Sequence, residues 1–408
     1  MSRLNDGQKL LLKLVSSEIT GNKIDISDKN VNDTDWKALF KEAVYQSVPI
    51  MAAEAVSPYK DKISVYPEIE KYVMRCVYSN VRNLGYEEEL GVLLGNKKYA
   101  IIKGTSSASY YCKPFERALG DIDFLIDPSD RKEITDILLK NGFEKNGEYH
   151  ICHDVFTCGG AHLEMHFEIA GIPYGECGDV VRQEMKRALD FVVTKSSEGH
   201  TFKCLDDYYH GIVILLHMQH HMLGEGIGLR HLCDWACYVE KTRNEPFWER
   251  LLAFFKKIGL LTYAKAMTKT GALCFSLECP EWAADFEEDL CYDIAMDIFT
   301  GGNFGQKDKT RANSGALISD HGKNGTRDGV FSNSKRAFLN SVRNNYPIVK
   351  KVPVLWAIFA PVGALRLLLL SATGKKGLNK DIFKKAEERL SLYERLRVFE
   401  TEDKDNNK

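Results

Sequence analysis

The sequence predicts an α+β protein in which a small mixed β-sheet is flanked by largely helical N- and C-terminal regions. Three observations predict it. Apolar residues recur at helical spacing through residues 1–95 and again from about 205 to 299. Between them the pattern changes to two alternating runs, GDIDFLID at 120–127 and HLEMHFEI at 162–169. A short apolar run that stops at a glycine, KKYAIIKG at 97–104, precedes both.

The elements follow in order. Leu10, Leu11, Leu14 and Val15 share a helical face. Trp36, Leu39, Phe40 and Ala43 share another, behind Asp33 or Thr34 as N-cap. A third helix covers 66–95 and packs through Tyr72, Val73, Cys76, Val77 and Val81. Residues 97–104 form a strand. In the next strand, 120–127, Ile122, Phe124 and Ile126 take one face while Asp121, Asp123 and Leu125 take the other. Residues 129–140 form a helix capped by Ser129, with Ile134, Ile137 and Leu138 inward, and Asn141-Gly142 ends it. In the strand at 162–169, Leu163, Met165, Phe167 and Ile169 oppose His162, Glu164, His166 and Glu168. Helices then cover 208–223, 229–243, 247–257, 260–275 and 283–299. The expected organisation is a helical region at 1–95, an α+β core at 96–200 and a helical domain at 201–300. A flexible loop at 301–336 follows, then a C-terminal apolar helix and polar tail at 337–408. The loop is basic, with seven Lys/Arg against three Asp.

Composition sets bounds on function. A chain of 408 residues holds two or three domains. With 44% apolar and 27% charged residues, it is neither disordered, collagenous nor a multi-span membrane protein. A net charge of −2 gives no strong signal for nucleic acid. The eleven cysteines form no CxxC, and they read as reduced thiols of a cytoplasmic protein. The first residues read as an amphipathic helix rather than an export signal. Residues 352–373 are long enough for a span but carry Pro353, Pro361, Gly363 and Arg366. They read as a buried or protein-contact helix, with a membrane-surface contact and a true span as the alternatives.

The chemistry concentrates in Lys103-Gly104-Thr105-Ser106, then Asp121 and Asp123, then Glu164. Two aspartates two apart on a strand point the same way, and Glu164 stands on a second alternating strand. Three gathered carboxylates repel unless a cation sits among them. Hard oxygen donors suit Mg²⁺ or Mn²⁺, which takes further ligands from substrate phosphates. The glycine turn offers N–H groups and hydroxyls to an anion.

On these residues the chain resembles the DNA polymerase beta-like nucleotidyltransferase superfamily. More narrowly, it resembles a bacterial family of uncharacterised nucleotidyltransferases. The matching features are Lys103-Gly104, Arg117 four before the first aspartate, Asp121-Ile122-Asp123-Phe124-Leu125, and Glu164-Met165-His166. The resemblance extends to the helix before the core and to LLHMQHHM and GLRHLCDW after it. Thr105 stands where Gly or Ser is usual, so Ser106 or Ser107 would supply the loop hydroxyl. The resemblance implies a mixed sheet flanked by helices, with Mg²⁺ and a nucleoside triphosphate. Attack on the α-phosphate would release pyrophosphate.

The expected catalytic and metal-binding residues are Asp121, Asp123 and Glu164. The expected nucleotide-binding residues are Lys103, Gly104, Thr105, Ser106, Arg117, His166, His217 and His221. Arg117 and Lys103 would balance phosphate charge. His217 and His221 lie one turn apart, with His220 beside them and Arg230, His231 and Asp234 on the next helix. They read as a nucleotide or acceptor contact, a structural polar contact, or a metal site. The acceptor is a hydroxyl on a metabolite, sugar, protein or RNA. Two alternatives compete: an inactive nucleotide-binding or regulatory protein on the same scaffold, and a His/Asp metallohydrolase built on 217–234.

Overall fold

Asn5 opens the chain's first helix with a capping box: its side chain accepts from the Gln8 N–H and the Gln8 side chain accepts from the Asn5 N–H. The computed structural model describes residues 3–146, 150–173, 175–311 and 389–400, together with 342, 346, 348–351, 353–356 and 358–363. Five helices precede the sheet: α1 (Asp6–Thr20), α2 (Asp28–Asp33), α3 (Trp36–Tyr45), α4 (Pro49–Val56) and α5 (Tyr66–Leu94). The cap of α3 is Asp35, which accepts from the Ala38 N–H, and not Asp33 or Thr34.

The strands are β1 (Tyr99–Ile101), β2 (Ile122–Ile126), β3 (Glu144–Asn146), β4 (His153–Cys158), β5 (Ala161–His166), β6 (Val192–Ser197) and β7 (His200–Leu205). They form one mixed sheet in the order β3-β4-β5-β2-β1-β7-β6. β2 runs parallel to β5, β1 runs parallel to β7, and the other pairs are antiparallel. The sheet extends to Leu205, past the expected edge of the core at residue 200. Between the strands lie α6 (Thr105–Ala108), α7 (Arg131–Lys140) and α8 (Glu176–Met185). α7 begins at Arg131 because Pro128–Asp130 forms a 3₁₀ turn. Asp127, not Ser129, caps that turn.

Alternation decides which face of the sheet does what. Ile122, Phe124, Ile126, Leu163 and Met165 form a buried core with Leu90 and Leu94 of α5 and Ile134 and Leu138 of α7. The opposite face carries Asp123, Leu125, Glu164 and His166. It meets the helical domain: α9 (Asp207–Leu223), α10 (Leu229–Thr242), α11 (Trp248–Lys257), α12 (Leu261–Phe275), α13 (Glu281–Ala284) and α14 (Glu288–Gly301). α9 and α10 approach closely at Gly211, where a Cβ would stand 2.2 Å from Tyr238 Oη.

The inward face of α5 differs from the expected one. Val73 is buried, but Tyr72 and Val81 are exposed. The helix instead buries Ile69, Leu84, Leu90 and three polar residues, Asn80, Asn83 and Glu87. Hydrogen-bonding demand from the loops of the sheet overrides apolar periodicity here.

Residues 301–311, expected at the start of a flexible loop, are built into the fold. Lys307 pairs with Glu42 at 2.7 Å and Arg311 with Asp297 at 2.6 Å. The rest of the 301–336 loop, residues 364–373 of the apolar stretch and the tail after residue 400 lie outside the described residues. Among the described residues no helix is long and apolar enough to cross a membrane.

Candidate active site

Parallel pairing of β2 with β5 puts Asp123 opposite Glu164 in register. Neighbouring strands lie about 4.8 Å apart, so two carboxylates of one face are forced together. Like charges placed so are destabilising unless something positive joins them. Two groups do. Lys103 Nζ lies 2.6 Å from Asp123 Oδ1. His166 Nε2 lies 3.0 Å from Asp123 Oδ1 and 3.3 Å from Glu164 Oε2. Burial alone would raise the Asp123 carboxyl, but Lys103 and His166 outweigh it and hold it far below the usual range. Asp121 is raised, first by burial and then by the charges of Glu164 and Asp123, with His162 opposing. His162 Nδ1 is 3.0 Å from Asp121 Oδ1.

The turn after β1 needs Gly104. Its φ of 57° and ψ of −113° belong to glycine. A Cβ there would point toward the Asp121 carbonyl and the Glu87 carboxyl. The next two hydroxyls face away from the carboxylates. Thr105 Oγ1 donates to Glu87 Oε1 at 2.7 Å, and Ser106 Oγ donates to the Ile101 carbonyl at 2.6 Å. Both residues are buried, so the hydroxyl left on the cavity side is that of Ser107.

A cavity of about 410 Å³ lies between the sheet and the helical domain. Lys103, Gly104, Ser107, Asp121, Asp123 and Glu164 line it from the sheet side. His217 and His221 line it from α9, Arg230, His231 and Asp234 from α10, and Asn303 and Phe304 from the segment after α14. Of the sequence-predicted residues, Thr105, Ser106 and His166 stand behind this lining, and the others reach it.

Arg117 reaches the cavity but is already engaged. Its Nε and Nη2 donate to the two Asp234 oxygens at 2.7 and 2.8 Å, and Tyr111 Oη donates to Asp234 Oδ1 at 2.7 Å. Two of its guanidinium nitrogens are thus committed to Asp234 rather than turned to a phosphate. The same bond commits the carboxylate that a His/Asp hydrolase centre would need. His217 and His221 face each other, Nε2 to Nε2, at 2.8 Å. Burial pushes both, and His231, well below the ordinary histidine value, so they are neutral imidazoles.

Sequence reasoning missed four contributors. Asn80 holds the 115–119 loop by bonds to the Phe115 and Arg117 carbonyls and the Leu119 N–H. Asn83 bonds the Gly120 carbonyl, and Glu87 the Thr105 hydroxyl. One polar stripe of α5 thus fixes both loops, and its spacing of three and four was the available signal. His153 is the fourth. With Glu164 and His166 it brings three ligand atoms within 4.8 Å of one another. It is register partner to His166 on β4, and burial lowers it to about 4.

No curated protein matches the chain. A solved structure, an antigenic nucleotidyltransferase-like protein from Paracoccidioides brasiliensis, is similar at 17% identity. The match covers 45% of this chain and 90% of that one with a TM-score of 0.28, a superposition too loose to speak for the site. The sequence profile of a family described as uncharacterised nucleotidyltransferase matches residues 32–276, which hold all seven strands and both histidine-bearing helices, and the chain belongs to that family.

Proposed function

We propose that the protein is an enzyme that moves a nucleoside monophosphate group from a nucleoside triphosphate to a hydroxyl acceptor and releases pyrophosphate. Mg²⁺ or Mn²⁺ is its cofactor. The observation that carries this reading is the register pairing of Asp123 with Glu164 beside Asp121, all three facing one cavity. The donor set fits a divalent ion: it is made of hard oxygens, and it already draws the Lys103 ammonium to 2.6 Å. Asp121, Asp123 and Glu164 would hold the ion, which when bound supplies charge neutralisation for the transferring phosphate and acidifies the attacking hydroxyl.

The chain's own groups do the rest. Gly104 lets the backbone N–H groups of its turn approach a phosphate without a side chain in the way. Lys103 exchanges its Asp123 partner for a phosphate oxygen. Glu164 Oε accepts the proton of the acceptor hydroxyl. The neutral faces of His217 and His221 contact the nucleotide or the acceptor. A near-neutral chain favours a small metabolite, a sugar or a protein side chain over RNA as that acceptor. All three carboxylates are present, which speaks against an inactive scaffold.

The test is calorimetric binding of the four nucleoside triphosphates with Mg²⁺, on wild type and on Asp121→Ala/Asp123→Ala. Metal-dependent binding that the double variant loses supports the reading and names the base. A folded wild type that binds none of them, with or without metal, sinks it.

A further inference from the structure

Among the described residues three cations line the cavity, and two of them are spoken for. Lys103 is held by Asp123 and Arg117 by Asp234. The third, Arg230, sits at the start of α10 and is partly buried. Its Nη1 donates to the Ala118 carbonyl at 3.3 Å. Its Nε is sealed from solvent and bonds nothing. Among the described residues no carboxylate lies within ion-pair distance of it. The guanidinium carbon is 5.8 Å from the Phe304 ring centre. Burial and the charge of Arg117 push its pKa below the ordinary arginine value, yet a guanidinium does not give up its proton.

A partly buried cation without an ion-pair partner is costly. Two further polar atoms on the same wall are buried and unbonded: His231 Nδ1, which donates in one tautomer, and Asn303 Oδ1, which accepts and so calls for a donor such as a ligand hydroxyl; both residues line the cavity. Across the cavity stand Asp121 and Glu164, which call for a cation. The Arg230 wall lacks an anion, and the three carboxylates of the other wall exceed the charge that Lys103 brings to them. A ligand whose phosphate travels with a divalent ion completes both.

We infer that Arg230, not Arg117, is the anchor for a phosphate group in this cavity, its planar fork engaging two phosphate oxygens. This rests on the transferase reading above. The phosphate belongs either to the donor triphosphate or to a phosphorylated acceptor, which share the same oxyanion chemistry.

The probe is inorganic pyrophosphate with Mg²⁺, titrated calorimetrically into wild type, Arg230→Gln and Arg230→Lys, with unfolding midpoints recorded without ligand. Wild type is expected to bind, and Arg230→Gln to lose roughly ten- to hundredfold in affinity, the range of a charge-assisted hydrogen bond. Arg230→Lys, which keeps the charge but not the fork, is expected to lie between them. Arg230→Gln removes an unpaired cation, so its midpoint should equal or exceed that of wild type. A lowered midpoint with unchanged pyrophosphate affinity would make Arg230 a structural residue and overturn the inference. A parallel titration with nucleoside triphosphate separates the two readings. Triphosphate and pyrophosphate binding intact in Arg230→Gln overturns the anchor alone. No triphosphate binding in wild type overturns the transferase reading and the anchor with it. Pyrophosphate that competes with triphosphate assigns the anchor to the donor. Pyrophosphate that binds beside it and still needs Arg230 assigns the anchor to the acceptor.

Discussion

Arg117 and Asp234 meet through two parallel hydrogen bonds of 2.7 and 2.8 Å across 117 positions of sequence. They join the loop before β2 to α10, and so fix the sheet side of the cavity against its helical side. Both side chains are more than nine-tenths buried. Burial would lower the Arg117 pKa, and the Asp234 charge more than restores it. Removing one partner strands the other, at a cost of about 3–5 kcal/mol. Asp234→Ala should therefore lower stability by that amount in urea unfolding. The triple variant Arg117→Met/Asp234→Leu/Tyr111→Phe removes every member of the network and should recover most of the loss. If Asp234→Ala costs less than about 1 kcal/mol, the bond is not what holds the two walls together.

Glu87 gives the pH dependence its sign. Burial raises its carboxyl to about 7, against opposing contributions from Thr105 and Arg117. Its Oε2 is buried and unbonded, which suits a protonated acid. In the unfolded chain the group ionises near 4.5, whereas in the folded chain it holds its proton to about 7. Its contribution is therefore fully present below pH 4.5 and is lost as pH rises through 7, by roughly 3 kcal/mol. Glu87→Gln keeps an acceptor for Thr105 and carries no charge. The stability of that variant relative to wild type should rise by about this amount between pH 4.5 and 8 in parallel denaturation series. A constant difference across that range would mean that Glu87 is ionised in the folded state.

These two residues also mark where sequence ceased to be informative. Asp121, Asp123 and Glu164 were legible because strict alternation fixes which face a side chain takes, and the structure gathers all three on one cavity. β3, β6 and β7 were not legible. β3 is an exposed three-residue strand, β6 has no buried position, and β7 buries Phe202, Cys204 and Leu205 without strict alternation. His153 gave no signal because a hairpin partner, rather than apolar spacing, defines β4. Arg117 drew attention by its place before the aspartates, but nothing near it in sequence names Asp234. Likewise α5 was recognisable as a helix, while its inward face was misread because buried asparagines look like solvated ones until their loop partners are known.

Lys103 is predicted to compete with metal. Its ammonium occupies Asp123 Oδ1 at 2.6 Å, so a divalent ion must share or displace that contact. Lys103→Met should tighten Mn²⁺ binding to the nucleotide-free protein by up to roughly fivefold, the scale of one ion pair. The same variant should bind nucleoside triphosphate less well, because a phosphate ligand is gone. An Mn²⁺ titration followed by paramagnetic resonance, with calorimetry of the triphosphate, reads both effects. If Mn²⁺ affinity falls together with triphosphate affinity, Lys103 orders the site rather than competing for it.

Phe304 carries a strain that packing alone does not account for. Its φ of 52° and ψ of 38° lie in the left-handed region, between two glycines that also have positive φ. A non-glycine residue there costs about 1–2 kcal/mol. The conformation is held by its N–H donating to the Gly226 carbonyl at 3.2 Å. It turns the ring toward the cavity, where it remains 38% exposed. His221 and His231 pack against the ring in edge-to-face arrangements at 4.7 and 5.3 Å, and the Arg230 guanidinium carbon lies over it at 5.8 Å. Backbone strain combined with a partly exposed aromatic ring in the cavity lining is the expected signature of a surface kept for a ligand. Phe304→Gly relieves the strain and deletes the face, while Phe304→Leu keeps the strain and deletes only the aromatic character. Phe304→Gly should unfold within about 1 kcal/mol of wild type, or later, because relief of strain offsets lost packing. Both variants should lose affinity for nucleoside triphosphate, yet bind inorganic pyrophosphate as wild type does, because the ring would serve the organic part of the ligand and Arg230 the phosphate. A Phe304→Gly protein that is much less stable and binds triphosphate normally would instead make the ring a packing element of the α9–α10 wall.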